Sequence, residues 1–327
     1  MMSDFKNVFL EKDTTTLQIN PFSQNRIYGL TCQNFENDSL ISSIHYEIQM
    51  LCIHSYENNF FSYEINRKQV YIDNTAPDLK IEQIADSCAQ AIFPVQIKIS
   101  EDRKIVEITN HNDIKKRWLV IKDKLSKYYE GHIITQILNK VETTFSDKAL
   151  LSESICKTWF FHLYFRPIYN TYTKNKSLNF VWESPVFGNQ IISYDVQQTI
   201  EEYYSATDKL FINIKGKSID KRSVNELLNG YSYPKSEMSG IKTQPLESEM
   251  EIQYKLYGED QSIFSVIGTY KTKITQKKYK TTQIEIYHLP ENSSFRPSSQ
   301  PKQKNISYWI NEEEPKKKKS GFWNRLF

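Results

Sequence analysis

Glycine is scarce in this chain, with nine in 327 residues. That argues against Gly-rich phosphate loops, collagen-like repeats and folds dominated by loops. Cysteine is scarce too. Cys32, Cys52, Cys88 and Cys156 lie far apart and form no CxxC pair, which argues against a metal site and a disulfide framework. They read instead as small buried apolar residues in a reducing compartment. No stretch approaches the roughly 18 apolar residues of a membrane span. The N-terminal MMSDFKNVFLEKDTTT has no basic region followed by an apolar run of export-signal type. Together these absences place the expectation in the cytoplasm.

Local signatures of chemistry are missing as well. There is no GxGxxG, P-loop, HExxH, GxSxG or paired CxxC, and the six histidines have no metal-ligand spacing. No catalytic residue, metal or cofactor is therefore assigned, and a non-enzymatic protein is expected. The formal charge of +3 is too small to imply nucleic acid as a partner of the whole body. One basic run, Lys271 to Lys280 with Tyr279 inside it, could in principle neutralise phosphates and stack on a base. No nucleic-acid module accompanies it, and the favoured reading is a solvated hairpin whose lysines protect a sheet edge.

Hydrophobic residues make up 39%, a low share, but 21 Tyr and 18 Phe can still build a large core. The chain reads as organised around Pro94 to Tyr128. Val95, Ile97 and Ile99 alternate with polar residues as in a half-buried strand. Ser100 to Arg103 is turn-like, and Ile105 to Thr109 can return as a second strand. Asn110 or Asn112 is a good N-cap. After it, Ile114, Trp118, Ile121, Leu125 and Tyr128 share one helical face, with the lysines of this segment turned away from it.

Strands precede this stretch: Val8 to Leu10, Thr15 to Ile19, Arg26 to Cys32, a long one through Ile44 to Cys52, then Phe61 to Ile65 and Val70 to Ile72. Pro77 suits the first position of a helix carrying Ile81, Ile84, Ala85, Cys88 and Ile92. Beyond the central helix, Ile134 to Phe145 mark a third helix, and Ser146 can cap a fourth with Leu150, Leu151 and Ile155. Strands return at Leu178 to Trp182, Gln190 to Tyr194 and Leu210 to Ile214, and in three alternating runs from Met250 to Ile286. Strands on both sides of a helical middle predict an α+β fold. Its long, curved, mostly antiparallel sheet, or two related sheets, would pack against about four helices from the middle of the chain. Residues 1–289 are expected to form one domain, with a possible subdivision near 175. In outline this is similar to the half-barrel carriers of lipids and lipoproteins, by architecture alone.

Two segments are candidate sites. Between Trp159 and Tyr172, the side chains of Trp159, Phe160, Phe161, Tyr164, Phe165 and Tyr169 read as core. The sharper alternative is the wall of an apolar cavity holding a small apolar ligand between helices and sheet. The second is the C-terminal segment, 290–327, whose Pro, Ser, Lys and Glu content predicts disorder. It holds eight basic residues against four acidic ones and two apolar islands, ISYWI and FWNRLF. Lys316, Lys317, Lys318 and Lys319 precede Phe322, Trp323, Leu326 and Phe327, which share a helical face opposite Arg325. Such a motif could fold into a groove on a protein partner, dock on an anionic membrane surface, or cover a patch on its own domain. The expected function is an interaction or scaffold protein, recruited through this motif to a partner or to the inner membrane face.

Overall fold

The computed structural model describes residues 6–9, 13–18, 25–56, 60–188, 190–235 and 243–289. Its first half holds β1 (Thr14–Thr16), β2 (Arg26–Glu36), β3 (Ser39–Tyr56), β4 (Phe60–Ile72), α1 (Lys80–Gln90), β5 (Val95–Ile99) and β6 (Ile105–Ile108). The helical middle holds α2 (His111–Tyr128), α3 (His132–Ser146), α4 (Lys148–Cys156) and α5 (Trp159–Tyr164). Then come β7 (Thr171–Thr173), β8 (Leu178–Phe187), β9 (Gln190–Ile200), β10 (Lys209–Ser218), α6 (Val224–Leu228), β11 (Ser248–Tyr257), β12 (Ile263–Thr275) and β13 (Lys278–Leu289).

Eleven strands form one antiparallel sheet in the order β6-β5-β4-β3-β2-β13-β12-β11-β10-β9-β8, and β1 pairs with β7 in a second, small sheet. Each wing of the large sheet is a sequential meander, the simplest way to pair neighbours. The wings meet where β2 lies against β13, with Cys32 opposite Ile284. This topology dictates the place of the helices. β6 and β8 are opposite edges of the sheet, so the chain between them has to cross its whole width, and α2 to α5 pave that path. Ile48, Ile97, Trp118 and Ile284 accordingly belong to one core. No helix among the described residues is long and apolar enough to cross a membrane, and none of the four cysteines forms a disulfide.

The central stretch forms as its pattern predicts, with two differences. Ile114, Trp118 and Leu125 are buried, but Tyr128, the last residue of α2, is 79% exposed, because the stripe there runs past the layer it packs on. Asn110 does occupy the N-cap position, yet its side chain does not cap α2. It accepts from the Gln96 amide (2.9 Å) and donates to the Pro94 carbonyl (2.9 Å), stapling the hairpin to the helix. Arg117 adds a second staple: its guanidinium donates to the carbonyls of Ala91, Ile92 and Pro94 at 2.9–3.0 Å. The first two of these, Ala91 and Ile92, directly follow the last turn of α1, where carbonyls have no intrahelical partner.

Other boundaries move for physical reasons. The two predicted strands between Phe61 and Ile72 are one, β4, whose register to β3 shifts where Tyr46 pairs with Val70 and Ile48 with Arg67, and again where Cys52 pairs with Tyr63 and His54 with Ser62. Helix α1 starts at Lys80, after Pro77. Asp147, not Ser146, caps α4, accepting from the amides of Ala149 and Leu150. β8 runs past Trp182 to Phe187 through Pro185, which an edge strand tolerates. The lysines of 271–280 do not guard an edge, since β12 and β13 are interior strands. Lys273 and Lys278 instead pair with Glu247 and Glu36.

Gly216 in β10 shows how tightly the wing is packed. A Cβ there would meet Val196 Cγ1 at 2.4 Å, the Asp195 carbonyl at 3.0 Å and Met250 Cγ at 3.2 Å. The carbonyl is fixed by the ladder, so Gly216→Ala is expected to cost about 1–3 kcal/mol. Gly268 lies on the same face, but its nearest neighbour would be 3.5 Å away. Gly268→Ala should be neutral or stabilising by up to about 1 kcal/mol. Urea unfolding of the two variants separates these outcomes, and equal midpoints would refute the packing argument.

Candidate functional site: an open trough on the outer face of the sheet

All six residues of α5 are buried, as are Phe165 and Tyr169. Phe160 stacks on Tyr164 (5.0 Å), the Tyr164 hydroxyl donates to Tyr28 Oη (3.2 Å), and Tyr254 Oη donates to the Leu163 carbonyl (2.8 Å). Arg103 is buried against the rings of Tyr164 and Tyr169, at 4.4 and 5.2 Å. These side chains fill one another's space. The cavity found beside them, lined by residues including Phe160, Phe161, Tyr46 and Ile48, measures ≈ 20 Å³. That is about the room one water needs, so an apolar ligand would have to displace core side chains.

Arg166 lies just beyond the end of α5 and reaches back to His162, its Nε donating to the His162 carbonyl (2.9 Å). His162 Nε2 accepts from Trp182 Nε1 (3.2 Å) and lies 3.1 Å from Ser184 Oγ, while Arg166 Nη2 lies 3.1 Å from His162 Nδ1. Burial, reinforced by the Arg166 charge, holds the imidazole well below its usual pKa. It is neutral at pH 7 and buttresses β8 against α5. Among the described residues no three His, Cys, Asp or Glu side chains gather as a metal site.

The opposite face of the sheet is different. Period-2 alternation puts Leu210, Ile212 and Ile214 into the core and turns Asn213, Lys215 and Lys217 outward. Register then aligns the outward residues of five strands. One row runs Asn179, Gln197, Lys215, Glu251, Thr269, and the next runs Val181, Asp195, Lys217, Glu249, Lys271. Most of these side chains, with Gly216 and Ile219, line an open trough of ≈ 840 Å³. The second row alternates in sign from Asp195 to Lys271. Lys217 pairs with Glu249 (3.5 Å) and Lys215 with Glu251. Opposite charges across strands help fix register. The side chains in these two pairs are 62–82% exposed, so each pair contributes only about 0–1 kcal/mol. They remain free to exchange partners with an incoming surface.

Sequence reading did not find this trough. Each strand contributes only one or two ordinary polar residues, and nothing in any one strand marks them. The C-terminal motif, Lys316 to Phe327, lies outside the described residues.

No family model and no curated protein matches the chain. Among solved structures, one titled "Lipid-protein interactions in lipovitellin" is similar over 84% of this chain and 26% of its own, at 11% identity and a TM-score of 0.38. The chain thus spans about a quarter of that protein's length, and no residue role follows from the likeness.

Proposed function

We propose that this chain is a non-enzymatic interaction protein. Its body offers the charged outer trough to a protein partner, and its C-terminal motif recruits it. The observation that carries this reading is the contrast between the two faces. The space beside α5 measures ≈ 20 Å³ and the outer trough ≈ 840 Å³, with three basic and three acidic side chains in its lining. Balanced, alternating charge suits a protein surface of complementary pattern better than a polyanion, which would meet three carboxylates. Lys316–Lys319 with Phe322, Trp323, Arg325, Leu326 and Phe327 would add apolar anchors and positive charge on a tether whose r.m.s. reach is roughly 30 Å for a coil of this length. In a cytoplasmic setting the same motif could hold the body at an anionic inner membrane face.

The test uses the full chain and two variants, Trp323→Ala and the double charge reversal Lys215→Glu/Lys217→Glu. Crosslinked partners are quantified, along with flotation on phosphatidylserine vesicles at low and high salt. The reading expects a specific protein to be lost at least tenfold with both variants while the fold persists. Identical partner yields from all three chains would refute it. Salt-sensitive flotation lost with Trp323→Ala, without any specific protein, would transfer recruitment to the membrane.

A further inference from the structure

The two edges of the large sheet are finished differently. β6 is four residues long and α4 packs along it, with Lys148 paired to Glu107. Short, covered strands of this kind do not template further pairing. β8 is ten residues long, and among the described residues only β9 pairs with it.

Hydrogen bonding shows which of its backbone groups face outward. The Ser193 carbonyl accepts from the Ile219 amide (2.9 Å), so Ser193 points toward β10 and away from β8. Its register partner Glu183 must then point away from β9, and Val181 and Asn179 face the same way. Beyond Trp182 this edge is closed. The Glu183 carbonyl accepts from Arg166 Nη2 (2.8 Å). Pro185 has no amide hydrogen, and its carbonyl accepts from Gly188 (3.1 Å). Before Glu183 the edge is open among the described residues, over the five residues Leu178 to Trp182. Its side chains are unusually apolar for an open edge: Val181 is 57% exposed on the outer face, and Phe180 is half-buried on the inner one.

We propose that Ile306–Ile310 of this same chain adds to the open half of β8 as a further strand. The segment, ISYWI, is five residues long, as is the open half, and it is rich in β-branched and aromatic side chains. Period 2 sets Ile306, Tyr308 and Ile310 on one face, where they continue the surface of Phe180 and Trp182. It sets Trp309 on the other, over Val181. Reach allows it. Leu289 and Leu178 lie at the same end of the sheet, because the register carries Leu178 through Gln198, Ile214, Ile252 and Gly268 to Ile284, near the end of β13. Five strand spacings and five residues along the strand make about 30 Å. The intervening residues 290–305 can span about 53 Å when extended. Backbone pairing supplies the attachment and the alternating side chains its register, the logic of strand addition. This docking is separate from recruitment, because it uses none of the residues from Lys316 to Phe327.

The test is residue-resolved amide exchange on the full chain and on the full chain carrying Tyr308→Pro, which removes a ladder donor from the added strand. The inference expects the Val181 or Asn179 amide to exchange at least tenfold more slowly in the parent than in the variant, with no dependence on protein concentration. Amides of Ile212 and Ile252 should be unchanged, reporting an intact body. Equally fast exchange in both chains would overturn the inference, and so would equally slow exchange. Slowing that survives Tyr308→Pro but disappears on dilution would assign the edge to a second copy instead.

Discussion

Trp118→Ala is expected to lower the unfolding free energy by about 3–5 kcal/mol, the range for deleting a fully buried large aromatic. Trp118 is 1% exposed and sits where α2, α3 and the sheet meet. Its ring meets Phe145 edge-on at 5.4 Å, and its indole N–H donates to Glu142 Oε2 at 2.5 Å. Truncation would open a cavity that two helices and a sheet cannot close together, and would leave Glu142 with Lys122 (3.2 Å) as its remaining ion-pair partner. Tyr128→Ala, at the exposed end of the same predicted stripe, should change stability by about 0.5 kcal/mol or less. Urea unfolding of both variants decides the matter. A loss below about 1 kcal/mol for Trp118→Ala would mean that α2 is not part of the cooperative core.

The contrast between Trp118 and Tyr128 also marks what a sequence can reveal. Helical spacing assigns both to one face, since spacing knows nothing of where the neighbouring layer stops. The same holds for strands. Alternation reveals β3, β11, β12 and β13, because the middle of each carries alternate apolar residues, such as Ile44 to Met50 and Met250 to Leu256. It splits β4, where the bulge puts two residues opposite one and breaks the period. Caps are ambiguous for a different reason. Asn110 is chemically fit to cap α2, but the hairpin beside it offers an amide and a carbonyl at once. That choice is tertiary and invisible in sequence. The outer trough lies further still from sequence reading, because it exists only once five strands are in register.

The aromatic segment shows the converse. Its composition suits a cavity wall and a packed core equally well, and only geometry separates the two. Six consecutive buried residues in α5 have to point in all directions around a short helix. They can be buried together only if sheet, neighbouring helices and the Pro167 corner close on every side. Several buried tyrosine hydroxyls of this region bond inward to carbonyls or to one another, as with Tyr28 to Ile263 (3.0 Å), Tyr169 to Gln261 (2.8 Å) and Tyr164 to Tyr28 (3.2 Å). A ligand would have to replace those bonds as well as the volume.

Stability is expected to fall as pH drops below about 6.5, and His162 is the main cause. In the unfolded chain its imidazole titrates near 6.5. In the fold, burial and then the Arg166 charge hold it well below that value. Protonation would place a cation among Trp159, Trp182 and Ser184, beside the Arg166 guanidinium. Below 6.5 the unfolded state therefore binds a proton that the folded state refuses. Stability present above 6.5 is lost at up to about 1.4 kcal/mol per pH unit until the folded-state pKa is reached. His45, also lowered by burial though only partly enclosed, acts in the same direction and leaves a shallower slope. Carboxylates held low by lysine, such as Glu107 by Lys148 and Glu247 by Lys273, lose their contribution only below about pH 4.5, outside this window. Urea midpoints at pH 7.5 and 5.5 should thus differ clearly in the parent chain and much less in His162→Gln, whose amide can still accept from Trp182. An undiminished slope in His162→Gln would show that the proton is taken up elsewhere, and that His162 is not the group excluding charge from the junction of α5 and β8.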